Sequence, residues 1–292
     1  MGNNIALFKQ YIGSILDEVY KNASLTSVLD GANELVQQGA NANELLIPKM
    51  SMDGLGDYSK SAGYVNGDVT LEMETVKCNF DRGRMFTVDS MDDIETAGVA
   101  FGRLAGEFIR TKVVPELDAF RFAAYAGLSG ISTTSGAALS TGADVIAAIA
   151  AAADGMDNDE VPASDRYLFI TPTLLGLVRD LDTTKSKEVL AQFANVVKVP
   201  QSRFYTAIDQ LDGTTSGEEA GGYAKASGAK DINFMIIHKP AVIQFEKHVV
   251  PKVITPDQNQ SADAWKFGYR NVSIADGYDN KVKGIYLHKK NS

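Results

Sequence analysis

The chain has 292 residues, 45% of them hydrophobic and 22% charged, enough apolar material for one large domain or two moderate ones. Its formal net charge of -9 disfavours non-specific attraction to nucleic acid or to an anionic membrane surface. The single cysteine, Cys78, excludes an intrachain disulfide framework, and no run approaches the ~20 apolar residues of a membrane span. Residues 1–10 lack the basic-then-apolar pattern of a secretory leader, so synthesis and use in a reducing cytoplasm are expected.

Residues 1–40 read as a terminal arm. Ile5, Leu7, Phe8, Ile12, Ile15, Leu16 and Val19 give a short amphipathic helix, and the Asn, Ser and Gly that follow stop it. Such a segment needs a partner to dock on. Strand signals occupy residues 44–50, 69–76 and 85–88, the second alternating Val69, Leu71 and Met73 with Thr70, Glu72 and Glu74. Between the first two lies a stretch rich in Gly and Asp, with the tight-turn pair Asn66-Gly67 near its end, which predicts a long protruding hairpin.

Residues 91–126 predict the longest helix, reaching ~50 Å at 1.5 Å per residue. Ser90 and Asp93 form a capping-box-like start. Ile94, Ala97, Phe101, Leu104 and Phe108 make one apolar stripe, with Arg103, Glu107 and Arg110 opposite. Gly98, Gly102 and Gly106 line another face, where each costs about 1 kcal/mol against Ala, which suggests another backbone packed closely there. Pro115 should kink or divide the helix.

The Ser-, Thr- and Gly-rich residues 127–142 predict a linker. An Ala-rich helix over 144–153 and an acidic loop over 154–160 follow. Residues 166–170 are a buried-type strand, and Thr171-Pro172 opens another helix. Residues 187–195 predict a helix and residues 204–208 and 232–238 strands, with residues 213–228 too rich in Gly and Ser for regular structure. The last part is strand-rich: 241–246, 249–254, 265–274 and 281–288, with turns at 256–263 and Asp276-Gly277. Helices and strands mix without regular alternation, so the class is α+β.

Catalytic constellations are missing from this pattern. His238, His248 and His288 are far apart and share no metal-ligand spacing with Cys78. Asp154, Asp157 and Asp159 do not follow the spacing of a calcium loop and read as a solvated turn. Gly54-Leu55-Gly56 lacks the third glycine of a dinucleotide fingerprint, and Gly127-Leu128-Ser129-Gly130 falls one residue short of a nucleophile elbow. No cofactor, metal or catalytic residue is expected.

The order of parts resembles the major capsid proteins of tailed double-stranded DNA bacteriophages, with their Hong-Kong-97-like fold. The likeness is carried by Pro48 to Tyr58 with Gly67 to Leu71 and Asp81 to Arg84, similar to the extended E-loop and its flanking strands. It is carried further by Glu95 to Arg110 and Val114 to Asp118 (spine helix), Arg166 to Pro172 (axial-domain strand and helix start) and Val250 to Arg270 (long peripheral hairpin). The resemblance implies an N-terminal arm at 1–40, E-loop and flanking strands at 41–88, a peripheral domain with spine helix at 89–140 and an axial domain at 141–239. Peripheral long strands then take 240–278 and a strand returning to the axial domain 279–292.

By the same resemblance, Met52, Leu55, Tyr58, Lys60, Tyr64, Arg82 and Arg84 are expected to touch neighbouring subunits, while Phe101, Leu104, Phe108, Gly98, Gly102 and Gly106 pack the spine. The implied activity is structural. Copies would form pentamers and hexamers that close into an icosahedral shell around double-stranded DNA, without sequence-specific binding or a membrane, with scaffolding, portal and decoration proteins as the implied partners. The virion would be the location and host cytoplasm the place of assembly. Two rivals stand beside this reading: an encapsulin-like nanocompartment shell, and a small-oligomer hydrolase using a carboxylate pair such as Asp276 and Asp279.

Overall fold

A computed structural model describes residues 24–31, 37–38, 44–61, 63–91, 99–136, 139–181 and 183–290. The helix expected over residues 5–19, and the part of the spine that holds Asp93, Ile94, Ala97 and Gly98, lie outside them.

Strand β1 (Gln37–Gln38) pairs with β2 (Glu44–Met52), which pairs antiparallel along its whole length with β3 (Val69–Lys77). The register sets Met50 against Leu71 and Met52 against Val69, and because side chains alternate with a period of two, these four share one face. Ser51 and Thr70 share the other. The hairpin expected here is present, but its reversal is not at Asn66-Gly67. The strands end at Met52 and Val69, the Asp53 amide donates to the Asp68 carbonyl at 3.1 Å, and the chain turns at Ser59 and Gly63, whose backbones exchange bonds of 3.2 and 2.7 Å. Gly63 has a φ of 82°, a conformation that costs glycine nothing.

Only residues 78–79 separate β3 from β4 (Phe80–Asp89), which lies at one edge of a three-stranded antiparallel sheet in the order β11-β12-β4, where β11 is Val242–Ile254 and β12 is Ala264–Gly277. The two short strands read from residues 241–254 are one long strand with a bulge between Glu246 and His248. Phe80, Phe267 and Tyr269 on the sheet's inner face bury against Ala105, Ile109, Val113, Val114 and Leu117 of the long helix. That helix runs as Val99–Phe108, a widened π turn over Ile109–Val113, and Val114–Gly127. The regular α-helical ladder is divided just before Pro115, where the sequence predicted a kink or a division. The Val114 amide reaches back to the Ile109 carbonyl, and Pro115, which has no amide to offer, follows in the first turn of the next segment. At the start, the Ser90 hydroxyl donates to Asp263 Oδ1 at 2.8 Å, a tie to the turn before β12, while Asp89 Oδ1 takes the Met91 amide; the capping partner expected at Asp93 lies outside the described residues.

A second sheet has five strands in the order β5-β13-β10-β6-β7: β5 (Ser132–Gly136), β13 (Ile285–Lys290), β10 (Ile232–His238), β6 (Arg166–Ile170) and β7 (Asn195–Lys198). All seven residues of the central β10 are buried. The helices Gly142–Asn158, Pro172–Leu181 and Thr184–Ala191 cover one face through Val145, Ile149, Met156, Leu175, Val178 and Val189. Phe122 and Tyr125 of the long helix, with Phe169, Phe204 and Met235, fill a second cluster.

Three expectations change here. The supposed linker contains β5, paired parallel with β13. The acidic residues 154–158 continue the helix begun at Gly142 instead of looping. Residues 208–225 hold a two-stranded hairpin of β8 (Ile208–Leu211) and β9 (Gly222–Lys225), where a strand at 204–208 and an irregular stretch were expected. The Thr141 hydroxyl accepts the Asp144 amide and Asp144 returns a bond to the Thr141 amide, a complete capping box. Thr141→Ala should cost about 1 kcal/mol in urea unfolding without changing assembly.

Candidate assembly surfaces

The ribbon of β2 and β3 is the most exposed part of the fold. Among the described residues from 50 to 72, every one except Gly63 is exposed. Of the twelve large hydrophobic side chains left exposed among the described residues, eight are here: Met50, Met52, Leu55, Tyr58, Tyr64, Val65, Val69 and Leu71. So small a sheet is marginal in water by itself, and from Met50 to Leu71 this one shows its large apolar side chains to solvent. At its tip the Tyr58 and Tyr64 rings lie 4.9 Å apart and tilted by 59°, and Asp53 Oδ2 accepts the Asp68 amide at 2.8 Å. Lys60 is exposed on the same tip. Met52, Leu55, Tyr58, Lys60 and Tyr64, picked from sequence, are thus brought together on one projection.

Arg82 and Arg84 are placed differently. Arg82 donates to Glu116 Oε1 at 2.8 Å and to the carbonyls of Leu211 and Gly222 at 2.7 and 3.1 Å. Arg84 donates to the carbonyls of Glu219 and Ala220 at 2.9 and 3.2 Å. Both guanidiniums clip the β8–β9 loop of their own chain to β4. The loop needs glycine for this, since a Cβ on Gly221 would come within 2.7 Å of the Arg84 guanidinium. A cleft of ≈ 930 Å³ opens between this clip and the helix, lined among others by Leu104, Phe108, Glu116, Tyr205 and Tyr223. Burial pushes the Glu116 carboxyl up, and the Arg82 charge opposes that shift.

On the spine, Phe108 packs edge-on against Phe86 at 4.8 Å and against Tyr269 at 6.2 Å. Leu104 is half-buried. At Phe101 and Gly102 only the helical backbone is described, and Gly98 lies outside the described residues. A Cβ on Gly106 would meet nothing within 4 Å among the described residues, so none of them brings a backbone close there.

Sequence reading missed the tightest polar cluster. Asp118, fully buried on the helix, accepts from the Ser24 hydroxyl (2.9 Å), the Leu25 amide (3.1 Å), the Thr26 amide (3.3 Å), the Thr26 hydroxyl (2.8 Å) and Arg203 (3.1 Å). One turn on, buried Arg121 donates to the Thr26 hydroxyl and to Glu246 Oε1, each at 2.8 Å. The Tyr125 hydroxyl, whose proton burial holds more tightly, donates to Gln244 Oε1 at 2.8 Å, and Gln244 donates to the Thr26 carbonyl at 2.7 Å. Leu29 inserts into the Phe122 and Tyr125 cluster. Residues 24–31 of the supposed arm therefore dock on their own chain, tying the long helix to β11 and to the Gln201–Arg203 turn.

No group of three or more His, Cys, Asp or Glu side chains that could hold a metal ion assembles among the described residues. His288 is bonded to Asn233 at 3.1 Å and stacked on Phe234, and burial lowers its basicity. His238 is buried, with its basicity lowered mainly by desolvation. Asp157 pairs with Arg166 at 2.6 Å. Asp276 lies within β12, opposite Ile243, and its Oδ1 accepts the Gly277 amide at 2.8 Å; the turn expected at Asp276-Gly277 comes only after the strand has ended. Burial raises the Cys78 thiol, away from nucleophilic use.

No family model and no curated relative matches the chain. Solved structures do. The capsid structure of the cyanophage P-SCSP1u superposes with a TM-score of 0.55 at 12% identity, over 88% of this chain and 86% of that one. A structure from Gordonia phage Cozz gives 0.60 at 10% identity, over 92% and 87%. A virus-like particle from Pyrococcus furiosus gives 0.58 at 11% identity, over 94% and 96%. The likeness shows the fold: an α+β chain built like phage capsid structures, as the order of parts had suggested.

Proposed function

We propose that this chain is a major capsid protein, a shell subunit and not an enzyme, whose copies assemble as pentamers and hexamers into an icosahedral shell around phage double-stranded DNA. The observation that carries the reading is the stretch of residues 50–72, whose large apolar side chains Met50, Met52, Leu55, Tyr58, Tyr64, Val65, Val69 and Leu71 are all exposed. A hairpin of this kind gains its stability by lying on another copy. In this reading the five-stranded sheet with its helices is the axial domain, and the long helix with the three-stranded sheet is the peripheral domain. Scaffolding, portal and possible decoration proteins are separate partners, assembly takes place in host cytoplasm and the product is the virion. The acidic net charge of -9 suits a container that does not grip its contents.

Light scattering and negative-stain electron microscopy of the purified chain test this. Closed megadalton shells are expected. A compact monomer under every ionic condition, with the ribbon folded back on its own body, would remove the reading. The near-complete mutual coverage with the Pyrococcus furiosus virus-like particle supports a second reading, a nanocompartment shell. DNA inside particles recovered from the native source supports the first, and a protein cargo the second.

A further inference from the structure

One short stretch of the ribbon is held by no backbone bonds, and it contains a chemically reactive pair. Gly63 is bridged to Ser59, and Asp68 is bonded to Asp53 through both its amide and its carbonyl. Between these two ties, residues 64–67 neither give nor take a backbone hydrogen bond among the described residues. Asn66 and Gly67 lie here, both exposed. They are the one Asn-Gly pair in the sequence.

The side-chain carbon Cγ of an asparagine can be attacked by the backbone nitrogen of the next residue, which closes a five-membered ring. Three features of a folded chain oppose that closure: a side chain that crowds the nitrogen, a hydrogen bond that occupies its N–H, and regular structure that fixes the backbone. At Gly67 all three are missing among the described residues, since glycine has no Cβ, its amide is unbonded and the strand begins only at Val69. Every other asparagine in the sequence is followed by a residue that carries a side chain. Several are held besides. Asn79 donates to the Ala275 carbonyl and accepts the Ala275 amide, and Asn233 and Asn271 are buried within strands.

We propose that Asn66 is a site of spontaneous deamidation in the unassembled chain, with water as its co-reactant, and that conversion weakens the ribbon's contact with a second copy; this second half rests on the shell reading above. In the first step the Gly67 nitrogen bonds to Asn66 Cγ, the bond from Cγ to Nδ2 breaks, and ammonia leaves with the proton that the Gly67 amide gives up. In the second step water adds to one of the two ring carbonyls and that carbon's bond to nitrogen breaks. Opening at Cγ gives aspartate, and opening at the main-chain carbonyl gives isoaspartate, whose backbone runs through the side chain. No electrons are transferred. Either product puts a carboxylate beside Tyr64, Val65 and Val69, which a covering copy would have to strip of water. The new charge also joins Asp68 and Asp53, whose Cβ would lie 3.6 Å from a Cβ on Gly67. Isoaspartate further adds a backbone carbon between the Ser59–Gly63 bridge and the Asp53–Asp68 bonds, which shifts the tip against the strands.

The experiment holds disassembled, full-length chain in mildly alkaline buffer, maps the exchange of NH2 for OH by peptide mass and follows assembly by light scattering. The peptide containing Asn66 should convert at least ~tenfold faster than any other asparagine peptide. Gly67→Ala is the control, because its methyl would meet Asp53 at an ordinary contact distance and residue 67 has no left-handed backbone to strain. It should slow conversion by ~tenfold or more. Converted wild-type chain should assemble ~tenfold less well, whereas Gly67→Ala after the same treatment should assemble as well as its own untreated form. Equal rates at Asn66 and at the other asparagines overturn the site, as does an unchanged rate in Gly67→Ala. Normal assembly of converted chain overturns the effect on the contact and leaves the shell reading standing. If untreated chain assembles nothing, the shell reading fails, and the peptide masses still decide the site.

Discussion

Asp118→Ala is expected to cost the free chain about 3–5 kcal/mol and to release residues 24–31 from the body. Five donors converge on this one buried carboxylate, from two separate parts of the chain, residues 24–26 and Arg203. Removing the acceptor leaves Arg203 and two Thr26 groups facing a void. Buried charges and donors that lose their partner pay the full desolvation cost, which exceeds the worth of the bonds when paired. Two consequences should be measured. The urea midpoint should fall, and the amides of Leu25 and Thr26, now bonded to Asp118, should exchange with deuterium far faster than those of β10. Asp118→Asn keeps the shape but brings an NH2 group into a ring of donors, so it should lose most of the same stability. A loss below about 1 kcal/mol for both variants would mean that the cluster is not what holds residues 24–31.

What the sequence revealed and what it hid divide along the distance between partners. Residues 166–170 and the helix opened by Pro172 were legible because every signal was local: an apolar run, then Thr-Pro. The ribbon was legible because alternation and a Gly- and Asp-rich stretch describe it without reference to the rest of the chain. Residues 132–136 were not. Ser-Thr-Thr-Ser-Gly looks like a linker, and it is a strand only because β13, some 150 residues later, supplies a parallel partner. The hairpin of β8 and β9 was hidden for a similar reason, since Arg82 and Arg84 from β4 hold its glycine-rich loop in place. The docking of Ser24 to Thr26 depends on a carboxylate 92 to 94 residues away and leaves no periodicity to read. Arg82 and Arg84 also show what sequence alone hides: both donate to carbonyls of the chain's own β8–β9 hairpin, partners 129 and 136 residues away.

Deleting residues 54–66 should leave a folded chain that no longer builds shells. The cut ends are already neighbours: the Asp53 amide reaches the Asp68 carbonyl at 3.1 Å, and a Cβ on Gly67 would lie 3.6 Å from that of Asp53. Joining them creates an Asp-Gly pair, a sequence that favours tight hairpins, so β2 and β3 can keep their register. None of the deleted residues belongs to a hydrophobic cluster of the body, and all the described ones except Gly63 are exposed. The stability change should therefore stay within about 0.5 kcal/mol. Assembly should respond quite differently, because the deletion removes Leu55, Tyr58, Tyr64 and Val65, four large apolar groups that the free chain shows to water. Aromatic anchors dominate the energy of protein contacts, and a shell repeats each contact many times, so particle yield should fall by ~100-fold or more. Normal shells from the shortened chain in electron micrographs would show that the tip is not a contact between copies. The burden of assembly would then pass to the apolar face formed by Met50, Met52, Val69 and Leu71, which the deletion leaves intact.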